Sequence, residues 1–285
     1  MNPFFSVVPI LLWRFGFWGQ TPLLVAPRGE FGDGALTRRR FKKRVYISCL
    51  RVLGIHRSVI WHSTAPQEST DIRRILGDDA VIVERTNDTL LAPRAANPLA
   101  HEGPIRLVFL GRIVPHKGLA VVLAALQDMP VRVELTVFGS REDVGYFAHC
   151  KGLASSLPRN VAVDFRGSVP PQEVVRVLHE HDVLVMPTAG ENFGHVIAEA
   201  LSAACVVVTT PMTPWTKVLQ AGGGVVIGDR SPNRWRLEIE QLARATRSER
   251  LSLRESAAQA YDKWAASPSE THVWALALEK ALSTV

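Results

Sequence analysis

From Ile105 onward, short and nearly unbroken runs of Val, Leu and Ile alternate with stretches of helical period, and this alternation constrains the fold more than any other feature. Strand-length runs fall at residues 105–111, 131–138, 161–165, 182–186, 205–209 and 224–227. Helical stretches lie between them at 118–127, 141–157, 171–181 and 194–204. A strand that is apolar on both faces must be covered on both, and parallel neighbours need a crossover, normally a helix. Together these requirements give βαβ units around a buried parallel sheet, an α/β fold. Two more helical segments follow at 233–246 and 249–266, and Pro268 separates a last one at 270–282.

Residues 1–104 read differently. Strand candidates are confined to 22–26, 58–61 and 80–84, with one helix, 36–53, between the first two. Pro93, Pro98 and Pro104 mark the stretch from 91 onward as linker. The expected divisions are 1–95, a linker at 96–104, 105–266, and a helix at 267–285 that packs back on the first domain. The opening apolar stretch, 3–18, has no basic residue before it, is interrupted by Arg14 and meets no small-residue cleavage site. It is shorter than the ~20 residues a bilayer span takes, so a buried or interfacial helix and a cytoplasmic chain are expected.

The formal net charge of +6 favours anionic partners without choosing among them. Cys49, Cys150 and Cys205 lie far apart and form no CxxC pair, which argues against a disulfide framework or structural zinc and for a reducing compartment. Arg38, Arg39, Arg40, Lys42, Lys43 and Arg44 crowd one amphipathic stretch whose apolar positions are Leu36, Phe41, Val45 and Leu50. A basic amphipathic helix reads as a contact with an anionic membrane surface, a solvated face being the plainer alternative. Nucleic acid comes third, because no stacking aromatics interleave with the charges.

The richest stretch for chemistry runs from Pro187 through Thr188, Gly190, Glu191, Asn192, Phe193, Gly194 and His195 to Glu199 and Leu201. It follows a buried strand and passes directly into a helix. Glycines 190 and 194 allow a close backbone approach, and free N–H groups at a helix start can receive a phosphate. Glu191 and Glu199 stand eight residues apart, and each carboxylate can grip a vicinal diol. Taken alone, Glu191 is equally an acid drawn to a helix dipole.

The whole string, PT-x-GENFGHVI-x-EAL, resembles the E-x7-E signature of the family 4 (group 1) retaining glycosyltransferases. Other matches occur in order: Phe109 to Ile113 with Lys117 and Gly118, then Val137 to Gly139, Phe165 to Val169, and Thr213 to Trp215. Upstream, Pro27 to Phe31 and the Lys-rich helix after it look like that family's first domain. The resemblance implies a GT-B fold of two Rossmann-like domains, with residues 105–266 as the nucleotide-sugar-binding one. Arg112, Lys117 and Glu191 are the implied catalytic group: the two cations hold the donor diphosphate and Glu191 the sugar hydroxyls. Gly111, Gly139, Arg166, Gly167, Ser168, Asn192, Phe193, Gly194 and Glu199 are the implied remainder of the donor site, with Glu199 on the ribose. Neither cofactor nor metal is implied, since Arg, Lys and the helix start neutralise the phosphates.

The resemblance further implies a nucleoside-diphosphate sugar as donor and a cell-envelope polysaccharide or lipid-linked glycan as acceptor. A full member starts with a strand and a glycine-rich turn that have no counterpart before Asn2, so the first domain is expected to be partial. The alternative reading is a non-catalytic nucleotide-sugar-binding fragment, or one half of a split enzyme completed by another chain or by oligomerisation. Arg28 stands where relatives often carry His, and Ala203-Ala204-Cys205-Val206 replaces the family's AG-x-P turn.

Overall fold

The computed structural model describes residues 8–19, 21–32, 40–267 and 271–283, without the side chains of residues 40–44. The chain divides into two compact units, Met1–Asp88 with Pro268–Val285, and Thr89–Ser267. Each holds a parallel sheet.

The first unit runs α1 (Val8–Arg14), β1 (Leu24–Val25), α2 (Arg40–Val52), α3 (Ile55–Ser58), β2 (Ile60–Ser63), α4 (Pro66–Leu76) and β3 (Val81–Glu84), and takes in the C-terminal helix Val273–Leu282. The strands lie in the order β1-β2-β3, with Leu24 beside Ile60 and Ile60 beside Val81. Alternate residues of β2 serve opposite faces. Trp61 packs with Phe31, Leu50, Ile55, Ile72, Leu76 and Ile10. Ile60 and Val83 meet Ala277 of the C-terminal helix. Both faces of this short parallel sheet are therefore covered.

The sequence pattern overlooks α4, because only Ile72, Ile75 and Leu76 of its eleven residues are large and apolar. Its punctuation was nevertheless present: Pro66 in the first turn, Glu68 beside the helix start and Gly77 just past the end. The helix read at 36–53 is described from Arg40, and Arg38 and Arg39 lie outside the described residues. Among the described residues of the opening apolar stretch only Ile10 of α1 is buried, whereas Phe15 and Phe17 in the following turn are 74% and 73% exposed.

The second unit runs β4 (Ile105–Leu110), α5 (Leu119–Ala125), β5 (Val133–Phe138), α6 (Val144–Ser155), β6 (Val161–Gly167), α7 (Val174–His179), β7 (Val183–Met186), α8 (His195–Ser202), β8 (Val206–Thr209), β9 (Gly224–Val226), α9 (Pro232–Arg244) and α10 (Arg247–Ala265). Its sheet has the order β6-β5-β4-β7-β8-β9, all parallel. Every residue of β7 and β8 is buried, which requires helices on both faces. By their contacts the helices form two groups, α5 with α6 and α9, and α8 with α7 and α10.

Local chemistry sets the helix limits. The Asp143 carboxylate accepts from Tyr146 N at 2.9 Å to start α6, and Thr246 with Glu249 forms a reciprocal capping box on α10. The helix read at 171–181 begins instead as a 3-10 turn, Pro171–Glu173, and becomes α-helical at Val174. Residues 91–104, marked as linker by their prolines, lie along the second unit. Ala96 N donates to Ser202 O at 2.7 Å, Ala95 N to Asp262 at 2.7 Å, and the Tyr261 hydroxyl to Ala92 O at 2.6 Å.

Candidate functional site

Winding in the larger sheet reverses between β4 and β7: the chain moves outward through β5 and β6 on one side and β8 and β9 on the other. Loops leaving two such neighbouring strands diverge and open a crevice beyond the carboxyl ends of the strands, where ligands of open α/β sheets bind. The loops leaving β4 and β7 carry Arg112 and Lys117, and Glu191 and Asn192, respectively.

Two glycines make the loops fit. A Cβ on Gly139 would lie 1.8 Å from Gly111 O, and one on Gly118 only 2.2 Å from Pro187 O. Each contact is impossible for any side chain, so backbone meets backbone. Hydrogen bonds then tie the two loops together. Ala189 N donates to His116 O at 2.8 Å, and His116 Nε2 lies 2.6 Å from Gly190 O. From the next strand, the Thr210 hydroxyl donates to Thr188 O at 2.7 Å, and Glu191 N donates to Met212 O at 2.8 Å. Glu191 is thus fixed through its own N–H and through the Gly190 carbonyl that His116 and Thr188 hold.

Lys117 Nζ donates to Glu191 Oε1 at 2.6 Å, with the two side chains only 15% and 10% exposed. Arg112 Nη1 donates to Glu142 Oε2 at 3.3 Å, and both partners are well exposed. Gly111, Gly139 and Gly167 close the ends of three adjacent strands, where Gly111 N donates to Phe138 O at 3.0 Å and Gly139 N to Gly167 O at 2.7 Å. Gly194 caps the start of α8 in the left-handed region. Glu199 sits in the second turn of that helix, half-buried, and burial raises its carboxyl above the ordinary carboxylate range. The loops at the switch point therefore bring together one lysine, one arginine, a helix start and the Glu191 carboxylate, with Glu199 farther along that helix. Such a set can hold a diphosphate at one end and hydroxyl groups at the other.

The other residues named from sequence fall at its margins. Arg166 pairs with Asp164 at 2.7 Å on the exposed side of β6, and Ser168 beyond it is exposed. Asn192 is half-buried, while the Phe193 ring turns into the core against Trp215 at 5.5 Å, in edge-to-face contact. Phe193 O accepts from Trp215 Nε1 at 2.6 Å. Trp215 is thus core. Of the basic run, Arg40, Lys42, Lys43 and Arg44 lie in α2 with side chains outside the described residues, as Arg38 and Arg39 are altogether.

Sequence reasoning passed over His116, which orders Gly190, and Glu142, which holds Arg112. It also missed Arg230, whose Nη2 donates to Pro115 O at 2.9 Å beside Gly118. Position next to Lys117 was the one available signal for His116; nothing in the spacing marks Glu142 or Arg230. Among the described residues no three His, Cys, Asp or Glu side chains gather as a metal site.

Comparison with known proteins converges on one family. The model for glycosyl transferases group 1 matches residues 94–260, from before β4 into α10. A D-inositol 3-phosphate glycosyltransferase of Corynebacterium urealyticum is 31% identical over 142 residues, 47% of this chain and 34% of that protein. A phosphatidyl-myo-inositol mannosyltransferase of Mycolicibacterium smegmatis is 33% identical over 155 residues, 52% and 38% respectively. The matches thus span little more than a third of these relatives' length. Among solved structures, Anabaena HepE in complex with UDP-glucose superimposes with a TM-score of 0.74 at 16% identity, over 98% of this chain and 76% of that one. Sucrose-phosphate synthase of Thermosynechococcus elongatus gives 0.72 at 16% identity, over 95% and 69%. The two parallel sheets are those of the GT-B fold, and the chain belongs to the group 1 glycosyl transferases.

Proposed function

We propose that the chain transfers a sugar from a nucleoside-diphosphate sugar, with retention at the anomeric carbon, to a lipid-linked or cell-envelope glycan acceptor. One observation carries this reading: Lys117 and Glu191, from loops after the two strands at the switch point, meet at 2.6 Å beside the start of α8. Lys117 and Arg112 would hold the donor diphosphate and offset the charge that grows on it as the glycosidic bond breaks. Glu191 would accept hydrogen bonds from the donor sugar, and Glu199 from the ribose. Backbone amides at 192–194 would face sugar and phosphate.

A lipid-linked acceptor is supported by two of the relatives, a D-inositol 3-phosphate glycosyltransferase and a phosphatidyl-myo-inositol mannosyltransferase. A lipid acceptor agrees with the basic α2 and with the exposed Phe15, Phe17 and Trp18, since aromatic side chains settle at membrane interfaces. No described helix is long and apolar enough to cross a membrane.

The test is a thermal-shift panel of UDP-, GDP- and ADP-sugars, followed by calorimetry with Lys117→Ala. Losing a hydrogen bond to a charged group costs ~1.5–3 kcal/mol, so affinity should fall tenfold or more. Unchanged affinity would remove Lys117 from the site. For the acceptor side, co-sedimentation with liposomes should rise with anionic lipid and fall with salt; equal binding to neutral vesicles would discard the electrostatic part.

A further inference from the structure

Both cations on which the donor reading depends already hold a carboxylate. Glu191 reaches Lys117 from the loop after β7, and Glu142 reaches Arg112 from the loop after β5. The second oxygen of Glu142 accepts from the Ser140 hydroxyl at 3.4 Å, which leaves the first turned to Arg112. An ammonium is a compact charge, and a carboxylate 2.6 Å from it takes one of its three donors and offsets its charge. In so closed a corner, two anions on one cation repel each other more strongly than they would in water. A diphosphate arriving at these cations therefore competes with the carboxylates for them.

We propose that Glu191 and Glu142 are internal counter-ions of the donor site, exchanged for the diphosphate as the donor binds and restored as the nucleoside diphosphate leaves. This rests on the donor-site reading above. The two acids do unequal work. When the diphosphate carries a sugar, the displaced Glu191 gains hydroxyl donors in place of Lys117. A bare nucleoside diphosphate offers it water alone, so the ion pair re-forms against the product and expels it. Glu191 thus separates donor from product, whereas a simple cationic pocket would favour the product, whose free terminal phosphate carries the greater negative charge. Glu142, in an exposed pair, adjusts the overall level of anion affinity.

Calorimetry on the full chain at one fixed ionic strength tests this with UDP, GDP and ADP and with UDP-glucose, GDP-glucose and ADP-glucose. The variants are Glu191→Gln, Glu142→Gln and a control, Glu134→Gln, whose exposed side chain is on the second residue of β5, at the opposite end of the sheet. Glu191→Gln is expected to bind the preferred nucleoside diphosphate about tenfold more tightly, in line with the strength of a charged hydrogen bond. Its preference for the sugar-bearing form should fall at the same time. Glu142→Gln should gain about twofold, as an exposed ion pair allows, and Glu134→Gln should match the wild type. Should Glu191→Gln melt too low to assay, Glu191→Asp, which shortens the reach to Lys117, serves with the same expected direction. No tightening in the Glu191 variant overturns the proposal, and so does equal tightening in Glu134→Gln, which would assign the gain to net charge. A wild type that binds none of the three diphosphates would strike the donor-site reading itself, and this inference with it.

Discussion

The two units reach the same parallel architecture by opposite chemical routes. In the second, six strands and two groups of helices close over aliphatic side chains, and β7 and β8 are buried at every residue. In the first, three strands must suffice, and the carboxyl end of the sheet is held by buried polar groups. Glu68, 4% exposed, accepts from Thr64 N and Oγ1 at 2.8 Å and from Gly29 N at 2.6 Å. The Ser69 hydroxyl contacts Ser63 Oγ at 2.6 Å and donates to Glu84 Oε2 at 2.5 Å. Arg85 donates to Thr271 O, Thr86 O and Asp88, so the chain just before the C-terminal helix is tied to the end of β3. Apolar burial tolerates change because it is non-directional, whereas a polar network holds only while each member is satisfied. The smaller unit should therefore be the more easily lost.

The strongest attempt to break that comparison is Trp61→Ala. Trp61 is 1% exposed and packs on Phe31, with ring centroids 6.0 Å apart, at the centre of the smaller core. Truncating a buried tryptophan costs about 3–5 kcal/mol. Hydrogen exchange should lose its protection in β1–β3 while β4–β9 keep theirs. Joint loss in both sheets would mean the units do not differ in this way.

A matching blow to the larger unit is Arg254→Ala. Arg254 is fully buried, donating to His181 O at 2.5 Å and His179 O at 2.9 Å, 3.5 Å from a buried Asp182. Leaving Asp182 without its cation should cost about 3–5 kcal/mol in denaturant unfolding. Arg254→Met combined with Asp182→Asn should recover much of the loss, because no isolated charge remains. A double variant as unstable as the single one would locate the cost in packing instead.

Acid sharpens the comparison more gently. Burial is the first cause holding His62 below the ordinary histidine pKa of 6.5, and its Nε2 lies 2.8 Å from Arg85 O. The unfolded chain takes up that proton first on acidification. The stability His62 contributes is whole above about pH 6.5 and drains away as pH falls from there towards the lower folded value. His62→Gln should flatten this dependence for β1–β3 alone, since His101 and His181, shifted the same way by burial, act in the second unit. A slope unchanged by His62→Gln would reject its part.

The smallest effect concerns Ala204, which takes φ 53 in the turn after α8, a conformation that suits glycine. Relief of strain and loss of a buried methyl nearly cancel, so Ala204→Gly should change stability by less than about 0.5 kcal/mol. Ala200→Gly, inside the same helix, should cost about 1–2 kcal/mol. Equal losses at the two positions would show that the left-handed turn carries no strain.

Much of the larger unit was legible in the residues. Runs of Val and Leu marked all six of its strands to within two residues, because burial on both faces leaves no room for polar alternation. The substitution of Ala204 for the family's glycine was legible too, though only the structure shows it keeping the left-handed turn. In the smaller unit the apolar pattern found β1, β2 and β3 but not α4, whose buried face includes Glu68 and Ser69. A hydrophobic period cannot register a helix that buries polar side chains. Of their partners, Thr64 is local, four residues before Glu68, but Gly29 and Glu84 come from other segments of the chain.

The same division runs through the site. The sequence by itself determined the strand–loop–helix that bears Glu191 and Glu199, and the glycines that let loops approach. These are local matters of backbone freedom, helix start and periodicity. Tertiary structure alone decided that Lys117 faces Glu191 across 74 residues of chain, that Glu142 faces Arg112, and that Phe193 and Trp215 serve the core. An ion pair depends on where two loops leave a sheet, and that is set by strand order, which no stretch of sequence contains.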